Sequence, residues 1–412
     1  MRPLATDTID PPRRAGLTLF GKIDLCRGLF AILVVLCHAF TAAWGMDRQA
    51  PASLSPAAYE WLLDSVGAGF YWVMGFFILS GYCIHQSIDR QIAAGRFRLG
   101  AYLVARATRI LPLYYLAFLF AIGCEAVVST LRTGASDALA DRTVLVAQVG
   151  VFQNLVRCYP GFVASWSITN ESFYYLLYGA LAWWAAGRRA VPAWVGLTCC
   201  VLVGAGLQVA YLGGYRPPWV LRVGLLFGLG VNWFLGVLVA VERDRIRRST
   251  FLQALARAWP VLLAAAVAGY HYGLPIQVTY LVSGVAFAAL LVRMAASADG
   301  EVPRDEPAWA TATVGFLGLM SYPTYLFHAP WQALLIVVLP RCGWDADWRL
   351  TWLALTASSL ALGAIVAVCL ERPILRWRGG LLARLRSGRG LGLPALGHSP
   401  AGAGAVRRIS SP

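Results

Sequence analysis

Charged side chains are scarce in this sequence: 13% of its 412 residues are Asp, Glu, Lys or Arg, against roughly 25% in an ordinary soluble domain. Lysine is almost missing. Lys22 is the only one, so the formal net charge of +15 is carried by arginine. With 58% hydrophobic residues, the chain has too little polar surface to enclose itself in water, which excludes a soluble globular protein. Helices facing hydrocarbon resolve the shortage, because a helix satisfies its own backbone hydrogen bonds. No C-x-x-C pair and no zinc-type spacing occurs among the nine cysteines. An odd number scattered through apolar segments is no disulfide framework, and no metal is expected. Internal repeats are lacking as well. A basic balance can serve nucleic acid, a membrane or an anionic ligand; the alternation of these charges along the chain points to the membrane, with no nucleic acid expected.

What is present is a succession of apolar runs. About 20 such residues cross a bilayer, and about ten runs qualify, at roughly 25–44, 67–85, 110–128, 168–186, 191–212, 219–240, 258–273, 275–292, 322–339 and 352–370. The expected fold is therefore all-α, a polytopic transmembrane helical bundle. Its seventh and eighth helices are short and form a tight hairpin near Tyr272 to Pro275. In the long loop 129–167, the apolar stretch Thr143 to Leu155 is too short to span and is expected to lie at the interface or fold back; Thr311 to Met320 has the same character. Residues 1–21 read as a disordered cytoplasmic arm, 22–378 as the transmembrane domain, and 379–412 as a disordered basic cytoplasmic tail. The apolar run after Arg27 is longer than a signal-peptide core. With the N-terminus inside, 27 of the 35 Arg and Lys residues fall on inside segments and 8 outside. That is the asymmetry of cytoplasmic loops, and it places both termini in the cytoplasm. On this topology only Cys158 and Cys342 lie in outside loops, as a bridge or as two free thiols.

Ionisable residues inside a membrane are costly and point to function. Arg27 and His38 are eleven residues apart on the first helix, within about 20° of one face at 100° per residue. The rise puts His38 about 16 Å deeper, near the middle of the hydrocarbon. Asp24 is one turn before Arg27 and placed to pair with it. Each also has a bland reading: Arg27 as a snorkelling arginine, His38 as a structural histidine bonded to a neighbouring helix. Arg106 and Arg109 are i and i+3 neighbours that repel unless an anion lies between them. Guanidinium forks suit phosphate, though positive-inside anchoring also accounts for the pair. Glu171 opens the fourth helix, where the macrodipole favours a carboxylate. Ser321, Tyr325 and His328 share a face. Ser321 with Pro323 reads as a helix start, setting His328 a turn or two inside the cytoplasmic boundary, where it and the tyrosines also suit an interfacial aromatic belt. Glu371 sits at a helix end that the macrodipole does not favour, which implies a local partner. His85, His271 and His398 are treated as incidental.

Taken together, these segments resemble the acyltransferase-3 family of bacterial membrane O-acyltransferases. The resemblance rests on Arg27 and His38, on Phe76-Phe77-Ile78-Leu79-Ser80-Gly81-Tyr82, on R-x-x-R-I-x-P-L-Y from Arg106 to Tyr114, on Trp166 to Tyr175, on S-Y-x-x-Y-L-x-H-x-P from Ser321 to Pro330, and on Glu371 to Pro373. The blocks occur in order over residues 23–373. One departure stands at Ser172 and Phe173, where family members often carry a second acid followed by glutamine; a role needing a carboxylate pair is in doubt there.

The resemblance implies a multi-pass protein of the bacterial inner membrane. It also implies a cytoplasmic acyl-CoA donor, acetyl-CoA by family frequency, and no permanently bound cofactor. The acceptor it implies is a hydroxyl of a carbohydrate or glycolipid. CoA is polyanionic, which suits Arg106, Arg109 and Arg27. His38 is the expected general base, since a neutral imidazole with a pKa of ~6.5 suits proton abstraction from a hydroxyl. Arg27 would stabilise developing charge or bind phosphate, and Glu371, Tyr325 and His328 would orient His38 or the donor. Glu171, Trp166 and Tyr174 are the expected acceptor-side residues, as they face outward. Two rival classes stay open: a proton-coupled secondary transporter and a non-catalytic glycan- or lipid-binding subunit.

Overall fold

The computed structural model describes residues 17–47, 55–136, 139, 141–185, 188, 190–298 and 307–386. Most of the N-terminal arm and residues 387–412 lie outside them, so the expected disorder there is not addressed. Among the described residues the chain is helical, with no strands. The helices are α1 (Leu19–Asp47), α2 (Pro56–Val66), α3 (Phe70–Ala93), α4 (Leu99–Thr133), α5 (Arg142–Val149), α6 (Trp166–Trp184), α7 (Val191–Leu212), α8 (Pro218–Val241), α9 (Arg243–Arg248), α10 (Thr250–Arg257), α11 (Trp259–His271), α12 (Ile276–Ala298), α13 (Ala308–Arg341), α14 (Trp348–Val366) and α15 (Arg372–Arg386).

Seven helices are long and apolar enough to cross a membrane, or eight if α10 and α11, bent by 59° at their junction, form one span. The helices α6 and α13 are not among them. Both carry conspicuous polar residues, Ser167, Thr169, Asn170 and Glu171 on α6 and Ser321, Thr324, His328 and Gln332 on α13. A polar face turned to a protein interior lowers hydropathy without forbidding a membrane environment.

The start expected at Ser321 does not occur. Residues 311–320 continue into the same helix, and Pro323, Pro330 and Pro340 all lie inside α13. Each proline removes one intrahelical hydrogen bond, which packed neighbours tolerate in a membrane helix. Consequently His328 stands roughly 30 Å along α13 from its first residue, not near an end. The C-terminal helix also runs further than expected, through Gly379 and Gly380 to Arg386.

Small residues set the close helix pairs. On α3 and α8, a Cβ added at Gly81 would stand 2.0 Å from the Trp233 carbonyl oxygen, and one at Gly236 the same distance from that of Ile78. Gly28 of α1 lies against Leu317, and Gly318 of α13 against Asp24. The α1 helix is pinned further by side-chain donors from α13 and α14. The Gln332 amide donates to the Val35 carbonyl at 3.4 Å and the Trp352 indole to that of Leu36 at 2.9 Å. These bonds flank His38 and fix the rotation of the helix that bears it.

The long loop folds back into the bundle. After α5 and two short 3₁₀ turns, Gln153–Leu155 and Val163–Ser165, it leads into α6. Gln148, Gln153 and Ser165 are fully buried and mutually bonded. Gln148 donates to Tyr114 Oη at 2.7 Å and to Ser165 Oγ at 3.0 Å, and Gln153 donates to the Ser165 carbonyl at 2.6 Å. Paired this way, buried amides avoid the cost of unmet hydrogen bonds. Cys158 and Cys342 are both free thiols.

Candidate active site

Two cavities lie at different levels along α1. The first, about 340 Å³, is lined by Arg27, Arg106, Arg109 and Arg378, together with Glu171, Ser80 and Tyr322. The second, about 290 Å³, is lined by His38, Asp64, Trp166 and Tyr270. Val73 and Tyr325 line both, so they form the partition between them.

His38 Nδ1 lies 2.9 Å from His328 Nε2. The other ring nitrogen of His328, Nδ1, is 2.9 Å from the Tyr325 carbonyl and 3.1 Å from that of Thr324. A carbonyl only accepts, so His328 Nδ1 must carry a proton. For two neutral imidazoles, His328 Nε2 then accepts, and His38 Nδ1 donates to it. The tautomer of His38 follows: its Nε2 keeps a lone pair. That atom makes no hydrogen bond among the described residues. It faces Gly69, where an added Cβ would stand 3.4 Å away. The His38 imidazole is half-buried and borders a cavity; it is neither sealed in packing nor turned to lipid.

The sequence set His328 near the cytoplasmic edge, to orient either His38 or the donor. The structure instead buries it completely beside His38, because α13 begins well before Ser321. Tyr325 belongs to neither cavity alone. Its hydroxyl bonds Ser167 Oγ at 2.8 Å and donates to the Ala164 carbonyl at 3.0 Å, and its ring meets Phe76 edge-on at 5.8 Å.

Glu371 finds the local partner that the sequence required. A π-helical turn, Ala367–Glu371, presents its carboxylate to Arg109, with which it forms a buried ion pair. Such turns often mark functional sites. Glu371 is thereby bonded to the arginine cavity, and His328 holds His38 in its place. Arg109 also stacks over Tyr322, 5.2 Å from the ring centre, and Arg106 over Tyr102 at 5.8 Å. Arg106 Nε is buried without a hydrogen-bond partner. Asp24 and Arg27 do not form the ion pair expected of them; Asp24 packs against Gly318. Arg27 makes no hydrogen bond or ion pair among the described residues.

The three acceptor-side candidates separate. Trp166 borders the His38 cavity. Glu171 does not: it faces the arginine cavity, where it accepts from Ser80 Oγ at 2.6 Å and from the Tyr175 hydroxyl. The Trp233 indole donates to Ser80 at 3.2 Å and completes that network. Tyr174 is sealed in packing, its hydroxyl donating to the Leu226 carbonyl at 2.7 Å and its ring against Phe77 and Trp233. Tyr174 borders neither cavity.

Two contributors escaped the sequence reading. Arg378 reaches the arginine cavity from α15, its guanidinium bonded to the Ala105 carbonyl at 3.1 and 3.2 Å. It lies at the edge of a segment read as tail, and only the helical spacing of the C-terminal arginines hinted at an ordered face. Asp64 lies in the His38 cavity, on a short helix capped by Ser55 and begun by Pro56, the usual helix-start signal.

A family model described as an acyltransferase domain matches residues 20–368. No curated protein matches the chain, and no solved structure does.

Proposed function

Since the chain belongs to the acyltransferase-3 family, we propose that it is an integral membrane O-acyltransferase, moving an acyl group, acetyl first among them, from acyl-CoA to a carbohydrate or lipid-linked sugar hydroxyl. The observation that carries this reading is the 2.9 Å contact of His38 Nδ1 with His328 Nε2, which leaves Nε2 of a neutral His38 free at one cavity while four arginines line the other. A polyanionic nucleotide fits the arginine cavity. Its long pantetheine arm passes the Val73–Tyr325 partition to bring the thioester towards His38.

In this scheme the acceptor O–H gives its proton to His38 Nε2 as its oxygen attacks the thioester carbonyl. The tetrahedral oxyanion then collapses, the C–S bond breaks, and the proton passes to the departing thiolate, releasing CoA and the O-acyl ester. Neutral imidazole takes the proton from the acceptor, and the imidazolium so formed gives it to the thiolate. The route in which His38 first accepts the acyl group itself is separated by trapping an acyl-histidine.

We place the site in a bacterial inner membrane, in a bundle of ten crossings with both termini cytoplasmic. Cys342 tests the topology, because it is exposed while Cys158 is partly buried with its thiol held above the ordinary value by burial. An impermeant maleimide should label Cys342 on intact spheroplasts without prior reduction.

The function is tested with purified protein in nanodiscs, acetyl-CoA and glycan acceptors. His38→Ala should lower transfer at least ~100-fold while the protein still inserts and binds CoA. Near-normal turnover in that variant would refute the assignment. Movement of an unmodified substrate across sealed vesicles, with no acylation, would favour a carrier.

A further inference from the structure

Asp64 is the one acidic residue that lines the His38 cavity, and no arginine or lysine lines it. The arginine cavity is its opposite, with four guanidiniums. Asp64 is held from behind. Its Oδ2 is 2.8 Å from Nδ1 of His271, and the His271 ring stacks on Trp61, centroids 4.0 Å apart and planes at 27°. The Tyr71 hydroxyl donates to the Asp64 backbone carbonyl at 3.2 Å. Thus α2, α3 and α11 fix the carboxylate in place. Its Oδ1 makes no hydrogen bond among the described residues, and Asp64 keeps 31% of its side-chain surface exposed against 12% for His271. One oxygen is anchored and the other has no hydrogen bond among the described residues, in a residue that lines the cavity together with Tyr270.

We infer that Asp64, anchored by His271, is the acceptor-recognition residue of the His38 cavity, and that the cavity takes a single uncharged or amino-bearing sugar ring. This deepens the acyltransferase reading and rests on it. A carboxylate oxygen with no donor nearby recognises hydroxyl or ammonium hydrogens through strong charge-assisted bonds. It repels a phosphate or carboxylate brought close in a partly desolvated site. The adjoining aromatic ring gives the apolar face of a sugar something to lie on. At about 290 Å³ the cavity sits at the small end of ligand pockets, which suits one terminal ring rather than an oligosaccharide. The lipid or phosphate portion of a linked acceptor would remain outside.

The test uses the full-length protein in nanodiscs with acetyl-CoA and three probes: methyl glucoside, methyl glucosaminide and glucose 6-phosphate. Wild-type protein should acetylate the first two and discriminate against the phosphate. Asp64→Asn should raise the acceptor KM about tenfold, as loss of a charge-assisted hydrogen bond does, leave the acetyl-CoA KM unchanged, and relax the bias against the phosphate. His271→Gln, which keeps a donor for Asp64, should lose less than His271→Ala. A wild-type preference for the phosphorylated sugar, or an unchanged acceptor KM in Asp64→Asn while His38→Ala still abolishes transfer, overturns the acceptor site alone. Transfer to none of the three probes by wild type overturns both readings.

Discussion

His328 donates through Nδ1 to the carbonyl of its own preceding turn and offers Nε2 to His38 at 2.9 Å, so the backbone of α13 sets the tautomer of a neutral ring on α1. Positioning of this kind predicts a kinetic signature. His328→Ala should lower kcat at least ~100-fold with little change in either KM. The double variant with His38→Ala should be no slower than His38→Ala alone, since both act through one proton path. Strictly additive losses in steady-state kinetics would sever the two.

Arg27 and Arg106 both face the first cavity, Arg27 with no hydrogen bond or ion pair among the described residues and Arg106 with its buried Nε unmet. Arg27→Gln or Arg106→Gln should raise the acetyl-CoA KM about tenfold or more, the worth of a hydrogen bond to a charged group. Dephospho-CoA or a shortened donor lacking the nucleotide should narrow the difference between variant and wild type. A donor KM that stays at the wild-type value in both variants would remove these residues from donor binding.

Glu371 has no exposed surface and is paired with Arg109. Glu371→Gln strands a guanidinium beside a half-satisfied site. The expected loss of stability in detergent is at the lower end of ~3–5 kcal/mol, because the arginine retains some exposure. Arg109→Met with Glu371→Leu should recover much of it. Thermal unfolding of the single and double variants measures both.

Gly81 and Gly236 abut backbone that cannot yield. Gly81→Ala or Gly236→Ala should cost ~3 kcal/mol or more, whereas Gly123→Ala, exposed on α4 with nothing within 4 Å, should be neutral or stabilising by up to ~1 kcal/mol. Melting temperatures in a common detergent check the contrast.

Much of this arrangement was legible in residue order. Period and length placed Arg27 and His38 on one helix face, and both border the cavities from that face. The R-x-x-R pair faces a cavity, and the misplaced charge of Glu371 did signal a partner, which is Arg109. What escaped depended on contacts between distant segments. Pro323 marks a helix start by local rules, yet α13 runs through it because neighbouring helices support the interrupted backbone. That start set His328 too near a helix end, and left open whether it orients His38 or the donor. Glu171 reads as outward-facing only if α6 begins at the membrane surface, whereas the folded-back loop carries its start into the protein. Tyr174 and Tyr175 are indistinguishable in sequence; only packing shows that the first is sealed and the second joins Glu171. Asp64 and His271 are 207 residues apart, and no local pattern relates them.

The partition made by Val73 and Tyr325 bears on the energy economy of the host cell. A protein hollowed from both ends could short-circuit an energised membrane by letting ions follow water through it. Where the two hollows meet stands a phenol ring whose hydroxyl is held by Ser167 and the Ala164 carbonyl, set against an isopropyl group. A variant that thins this plug should therefore raise the proton leak of sealed vesicles that carry it, which a pH-sensitive dye inside them would read.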